Sequence, residues 1–133
     1  MLEEAVKLVS EPLVTNQIEV HPFIDQDKVL AVCRTLGLSV TAYCPLARGK
    51  VPGNDMLARI GKAHGKTPAQ IALRYLVQQG IIPIPRTAKP DRLAANLAVF
   101  NFNLSDAEMS EIARLKQAGL RVVSPPHAPR WDN

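Results

Sequence analysis

Apolar residues along this chain follow two rhythms in alternation. Leu2, Val6 and Val9 recur at helical spacing and predict a helix from Leu2 to Val9, closed by Glu11-Pro12. Val14 to Val20 then alternates with the period of a strand. Val14, Asn16, Ile18 and Val20 fall on one face and Thr15, Gln17 and Glu19 on the other. Asp25 is placed to cap a helix with the buried stripe Val29, Val32, Cys33 and Leu36, and Gly37 stops it. Ser39 to Tyr43 predicts a short strand, and a Pro- and Gly-containing loop follows from Cys44 to Gly53. Asp55 to His64 reads as a helix with Met56, Leu57, Ile60 and Ala63 inward. Thr67-Pro68-Ala69-Gln70 is a capping box, opening a helix to Gln79. A strand from Ile81 to Pro85 and a helix from Pro90 to Leu97 come next. Ser105-Asp106-Ala107-Glu108 is a second capping box, for a helix to about Gln117. The proline-containing tail from Gly119 predicts irregular structure.

Strands separated by helices predict βαβ units and a parallel sheet, an α/β fold of about three parallel strands with flanking helices. A sheet this small leaves two open edges and a poorly covered face, so the pattern predicts part of a larger architecture, or self-association through those edges. No internal repeat argues for a solenoid.

Composition narrows the classes. The 133 residues allow one domain, and a 47% hydrophobic and 21% charged content is that of a soluble globular protein. Aromatics make up 5%, so the core must be aliphatic. A net charge of +4, with no interleaved aromatics or basic run, argues against nucleic acid. No apolar run is long enough to span a membrane, and no signal peptide is legible. Cys33 and Cys44 match no metal or redox spacing and read as buried free thiols, which suits a reducing cytoplasm.

Ile82 to Asn96 carries the strongest chemical signal. A short apolar run ends in Arg86, Thr87 and Lys89, and Pro90 then occupies a first helical position, with Arg92 in the first turn. A helix start presents unpaired N–H groups and the positive end of its dipole. With a hydroxyl and two guanidinium forks beside it, this is phosphate-binding chemistry. A solvated basic turn is the alternative.

Four stretches occur in order: Asn16-Gln17-Ile18-Glu19-Val20-His21-Pro22, Ala42-Tyr43-Cys44-Pro45-Leu46-Ala47-Arg48-Gly49, Thr67-Pro68-Ala69-Gln70-Ile71-Ala72-Leu73-Arg74-Tyr75, and Ile84 to Asn96. Together they resemble successive signatures of the aldo-keto reductases. Val123-Ser124-Pro125 and Ala128-Pro129-Arg130-Trp131-Asp132 resemble the bacterial 2,5-diketo-D-gluconate reductase B branch. The resemblance covers essentially the whole chain. It implies the C-terminal part of a TIM (β/α)₈ barrel, with residues 1–133 supplying strands six to eight, the helices after them and the C-terminal loop. It also implies NADPH as cofactor and reversible hydride transfer to an aldehyde or ketone.

By that resemblance, Gln17 hydrogen-bonds the nicotinamide carboxamide and Tyr43 stacks on the nicotinamide ring; a barrel-end core aromatic is the alternative for Tyr43. Leu46 and Arg48 belong to the loop over the pyrophosphate. Arg86, Thr87 and Arg92 form the 2′-phosphate site and Asn96 meets the adenine. Trp131 lines the substrate pocket or, alternatively, packs the tail. The chain departs from the family at Arg86, where Lys is usual, at Ala95, where Glu often stands, and at Cys44, where Ser is common.

The family's catalytic Asp, Tyr, Lys and His belong to the first half of its barrel, and no counterpart is found here. The resemblance therefore implies the cofactor-binding half of a reductase of small carbonyl compounds, inactive by itself. A non-catalytic NADP(H)-binding or self-associating half-barrel is the alternative. His21 reads as a structural residue in a His-Pro turn, His64 as a solvent-facing or C-capping residue, His127 as solvated and Tyr75 as core. No metal-ligand spacing, paired carboxylate or Ser-His-Asp pattern is legible.

Overall fold

The computed structural model describes residues 2–116 and 120–128. Within them run α1 (Leu2–Leu8), β1 (Thr15–Glu19), α2 (Asp27–Thr35), β2 (Ser39–Tyr43), α3 (Asp55–His64), α4 (Pro68–Gln78), β3 (Ile81–Pro83), α5 (Pro90–Leu97) and α6 (Asp106–Ala113). The three strands form one parallel sheet in the order β1-β2-β3.

Register decides which face is which. Gln17 pairs with Thr41 and Glu19 with Tyr43, while Thr41 pairs with Ile82 and Ala42 with Pro83. Paired residues of a parallel sheet, and every second residue along each strand, share a face. One face therefore carries Ile18, Val40, Ala42 and Ile81, and the helices pack against it. Val40, Ala42 and Ile81 are buried there with Cys33 of α2, Leu57 and Ile60 of α3, and Ile71, Ala72 and Leu76 of α4. The opposite face carries Thr15, Gln17, Thr41, Tyr43 and Ile82, none of them buried. On it the Thr15 and Thr41 hydroxyls hydrogen-bond across the sheet at 3.1 Å.

The alternation in β1 was legible, but its burial was not. Val14 is exposed although it shares a face with Ile18 and Val20, and Glu19, at the far end of the polar face, is fully buried. The cover on Glu19 comes from residues 122–123, whose backbone lies against its carboxylate.

Both capping boxes form. The Thr67 hydroxyl accepts from Gln70 N–H while the Gln70 side chain accepts from Thr67 N–H, and Ser105 and Glu108 repeat the arrangement. Other expectations shift at their ends. Asp25 does not cap α2; its carboxylate accepts from Asp27 N–H at 3.0 Å, the N-cap position falls to Gln26, and the helix begins one residue later than it would. Gly37 ends α2 as expected, with φ +69°. β3 stops at Pro83 because prolines at 83 and 85 cannot donate to the ladder, although Ile84 N–H still reaches Ala42 C=O at 3.1 Å. α6 tightens into turn-type bonds after Ala113, short of Gln117, which lies outside the described residues. Ala63 faces solvent, and the inward place on α3 belongs to Gly61, whose Cα is pressed against Lys66 C=O. Cys33 is buried as expected, whereas Cys44 is only half-buried.

Candidate functional site

Parallel strands in register end together, so the segments after Glu19, Tyr43 and Pro83 emerge from one end of the sheet. Ligands of α/β folds collect at this carboxyl end. The residues singled out from the sequence fall there in three groups.

Gln17, in the middle of β1, and Tyr43, the last residue of β2, share the face away from the helices. They line a cavity of about 160 Å³ together with Glu19, Gln26 and Arg121. Burial raises the Tyr43 phenol above its ordinary 10.0, the Glu19 charge adds to this, and the charge and hydrogen bond of Arg121 act against it. Tyr43 is half-buried, lines this cavity and lies outside the hydrophobic core.

Leu46 and Arg48 lie in the loop after β2. Leu46 packs on the core and Arg48 is exposed. The loop is wound tightly: Cys44, Ala47 and Arg48 all have φ near +48°, at 49°, 48° and 48°. A left-handed conformation in three side-chain-bearing residues is costly and persists only where the surroundings enforce it. Here the enforcing bonds are Ala47 N–H to Cys44 C=O at 2.9 Å and Gly49 N–H to Leu46 C=O at 3.1 Å.

Arg86, Thr87, Arg92 and Asn96 form the third group. Thr87 accepts from Lys89 N–H at 3.1 Å, which turns the chain into α5. Lys89 is the N-cap residue of α5 and makes no side-chain cap, so the first turn relies on Pro90 and on Lys89 C=O, which accepts from Arg92 and Leu93 N–H. Arg86 and Arg92 are exposed at this helix start. Asn96 follows Arg92 by four residues on the same helix side and is half-buried. Asp91, in the same first turn, is the one acidic neighbour in the segment. Trp131 lies outside the described residues.

The histidines sort cleanly. His21 is buried; its Nδ1 accepts from Phe23 N–H at 3.3 Å, so Nε2 carries the proton and donates to Glu19 at 3.1 Å. That is the structural role its His-Pro context implied. His64 departs from expectation. Instead of facing solvent it meets the Glu108 carboxylate at 2.7 Å and packs against Phe102, joining α3 to α6. Burial would push Glu108 up, but Ser105 N–H, His64 and the Ser105 hydroxyl outweigh it and hold Glu108 below its ordinary 4.5. His127 is exposed and Tyr75 buried, both as expected. Among the described residues no cluster of His, Cys, Asp or Glu could hold a metal, and no helix is long and apolar enough to cross a membrane.

Two residues of this end were missed from the sequence: Glu19 and Arg121. Glu19 stands two residues before His21, and that polar pair on one strand face was its available signal. Arg121 had none, because its place beside Tyr43 depends on the path of the tail.

A family model described as the aldo/keto reductase family matches residues 2–117. The methylglyoxal reductase DkgB of Escherichia coli O157:H7 is 37% identical over 134 residues, covering 99% of this chain and 50% of that protein. An aldo-keto reductase of Mycolicibacterium smegmatis is 39% identical over 111 residues, 84% of this chain and 40% of that one. Among solved structures, a protein provisionally named 2,5-diketo-D-gluconic acid reductase B superposes with TM-score 0.96 at 47% identity, over 99% of this chain and 48% of that one. A mutant of Gox0644 in complex with NADPH superposes at TM-score 0.89 and 31% identity, over 98% of this chain and 48% of its own. The chain thus spans half or less of the length of these relatives.

Proposed function

This chain belongs to the aldo/keto reductase family, its three parallel strands forming part of that family's barrel, and from that premise we propose that it is the NADPH-binding part of a reductase of aldehydes or ketones, keto-sugar acids among them. The observation that carries the reading is the pairing of two unlike sites at one end of the sheet. One is an amide and an aromatic around a small cavity. The other is two exposed arginines and a hydroxyl at an uncapped helix start.

The donor sets fit the two ends of such a cofactor. Arg86, Arg92 and Thr87 supply charge-assisted bonds and a hydroxyl, which a dianionic 2′-phosphate rewards and a 2′-hydroxyl does not. Arg in place of Lys at position 86 changes this from a point charge to a fork. Asn96, one turn beyond Arg92, is set to meet the adenine, and Leu46 and Arg48 to pass over the pyrophosphate. Gln17 offers both donor and acceptor to a carboxamide, and Tyr43 offers a ring face. When bound, the cofactor supplies hydride. This chain's residues bind and orient it.

Among the described residues at this end, His21 is buried with both ring nitrogens engaged, and Tyr43 is held above its ordinary pKa. We assign the proton donor of a carbonyl reduction to the first half of the family's barrel, and the chain alone is expected to bind without turnover.

The test is fluorescence titration of the chain with NADPH, and NADH as control. Saturable, NADPH-selective binding is expected. Arg86→Ala should weaken NADPH about tenfold and NADH far less, the effect of losing one charged hydrogen bond. Equal losses for both cofactors would remove Arg86 from the 2′-phosphate site. Carbonyl reduction is expected only when the first half of a relative's barrel is supplied.

A further inference from the structure

Glu19 is the most fully engaged polar side chain at the sheet's carboxyl end, and nothing in the proposed cofactor chemistry uses it. Its carboxylate is wholly buried. Oε1 accepts from His21 Nε2 at 3.1 Å and from Val122 N–H at 2.7 Å, and Oε2 accepts from Val123 N–H at 3.0 Å. Gln26 donates to its backbone C=O at 2.9 Å. Two successive backbone N–H groups on one carboxylate make a charge-assisted fork, which fixes position as well as supplying energy. Glu19 and Val122 are separated by 103 positions in sequence, so this fork determines where the tail crosses the sheet. Arg121, the residue just before the fork, hydrogen-bonds Tyr43 and walls the same cavity as Gln17.

We propose that Glu19 is a positioning residue: it fastens segment 120–128 across the ends of β1 and β2, and so places Arg121 over the cavity of Gln17 and Tyr43. The consequence for the nicotinamide end of the cofactor rests on the function proposed above; the fastening itself does not. A carboxylate is required because only two equivalent oxygens can hold both amides and His21 at once. Glutamine keeps the volume but turns an NH₂ against one of the amide donors. His21, with Nδ1 occupied by Phe23, keeps its remaining proton on Glu19 and locks the carboxylate's rotamer.

Hydrogen exchange on the whole chain without cofactor tests the fastening. In Glu19→Gln the Val122 and Val123 amides should exchange about tenfold faster or more, while Ile84 and Leu104 amides, bonded elsewhere, keep their protection. Unchanged protection at 122 and 123 overturns the proposal. If Glu19→Gln unfolds the domain, Val123→Pro decides. It deletes one donor, leaves the buried carboxylate and its His21 bond intact, and should release Val122 alone; an unaltered Val122 amide overturns the proposal.

Calorimetry with NADPH and with adenosine 2′,5′-bisphosphate, which lacks the nicotinamide, tests the positioning. Glu19→Gln should weaken NADPH by about fivefold and leave the bisphosphate unchanged, since only the former reaches Tyr43. Equal effects on both ligands, or none on NADPH, overturn the positioning of the cavity. Failure of the unaltered chain to bind either ligand overturns the cofactor reading and its consequence here, and exchange still decides the fastening.

Discussion

His21 satisfies both of its ring nitrogens only when it is neutral. Protonating Nδ1 would set one N–H against that of Phe23 inside a buried site. Burial accordingly holds the imidazole below its ordinary 6.5; the hydrogen bond and charge of Glu19 pull upward, Arg121 pulls down, and burial prevails. The unfolded chain binds this proton more readily than the folded one. The contribution is therefore fully present above 6.5 and is lost as pH falls from there toward the depressed folded value. Urea unfolding between about pH 8 and about pH 5.5 should show the midpoint falling with acidification, and His21→Gln should flatten that fall. An equal slope in the variant would mean that another group carries the dependence. Glu108 acts separately and in a more acidic range: its folded pKa lies below 4.5, so its share of stability is present above that value and lost as pH falls through the folded one.

At the scale of elements, local chemistry and long-range chemistry part company. Helices α3, α4, α5 and α6 begin where the sequence placed them because an Asn cap, two capping boxes and an N1 proline are local signals. The inward face of α3 was only partly legible. Gly61 lies inside because Lys66 N–H bonds its C=O at 2.8 Å and Lys66 C=O rests on its Cα, a return of the chain that no helical period encodes. Alanine in a helix normally gains up to about 1 kcal/mol over glycine. Here the added methyl would collide with the Lys66 carbonyl, so Gly61→Ala should instead cost about 1–3 kcal/mol, read as a lower denaturation midpoint with an unchanged m-value. A gain in stability would show that the α3–α4 connection yields. The same division holds at the site. That Gln17 and Tyr43 lie on strands, and that Arg86 to Asn96 spans a helix start, was legible because each sits in a local pattern. Glu19's burial and Arg121's place were not, because both depend on a tail about a hundred residues away.

For the whole molecule the decisive feature is the sheet's two open edges. Among the described residues β1 and β3 each pair with β2 alone. Ahead of β1 in the sequence, Leu8 is 84% exposed and Val14 72%; beside β3, Leu97 is 71% exposed and Phe100 67%. Between β3, α4 and α5 lies an apolar groove of about 480 Å³, lined by Val77, Ile82, Leu97 and Phe100 among others. Open parallel edges with apolar flanks pair readily with other strands. In the isolated chain the occupant at hand is a second copy. The β3 edge of one molecule can receive the β1 edge of the next with all strands still parallel, a heterologous contact that either closes or propagates. Light scattering after size exclusion should therefore give a mass that rises with concentration over a roughly hundredfold range. Leu97→Lys with Phe100→Lys should return it to the monomer, because charge beside an edge opposes pairing. The first half of a relative's barrel should compete for the same edges, lowering the mass of the self-associated form as it restores turnover. A chain that stays monomeric at every concentration, with the groove still open to an apolar dye, would show that the two edges are not complementary.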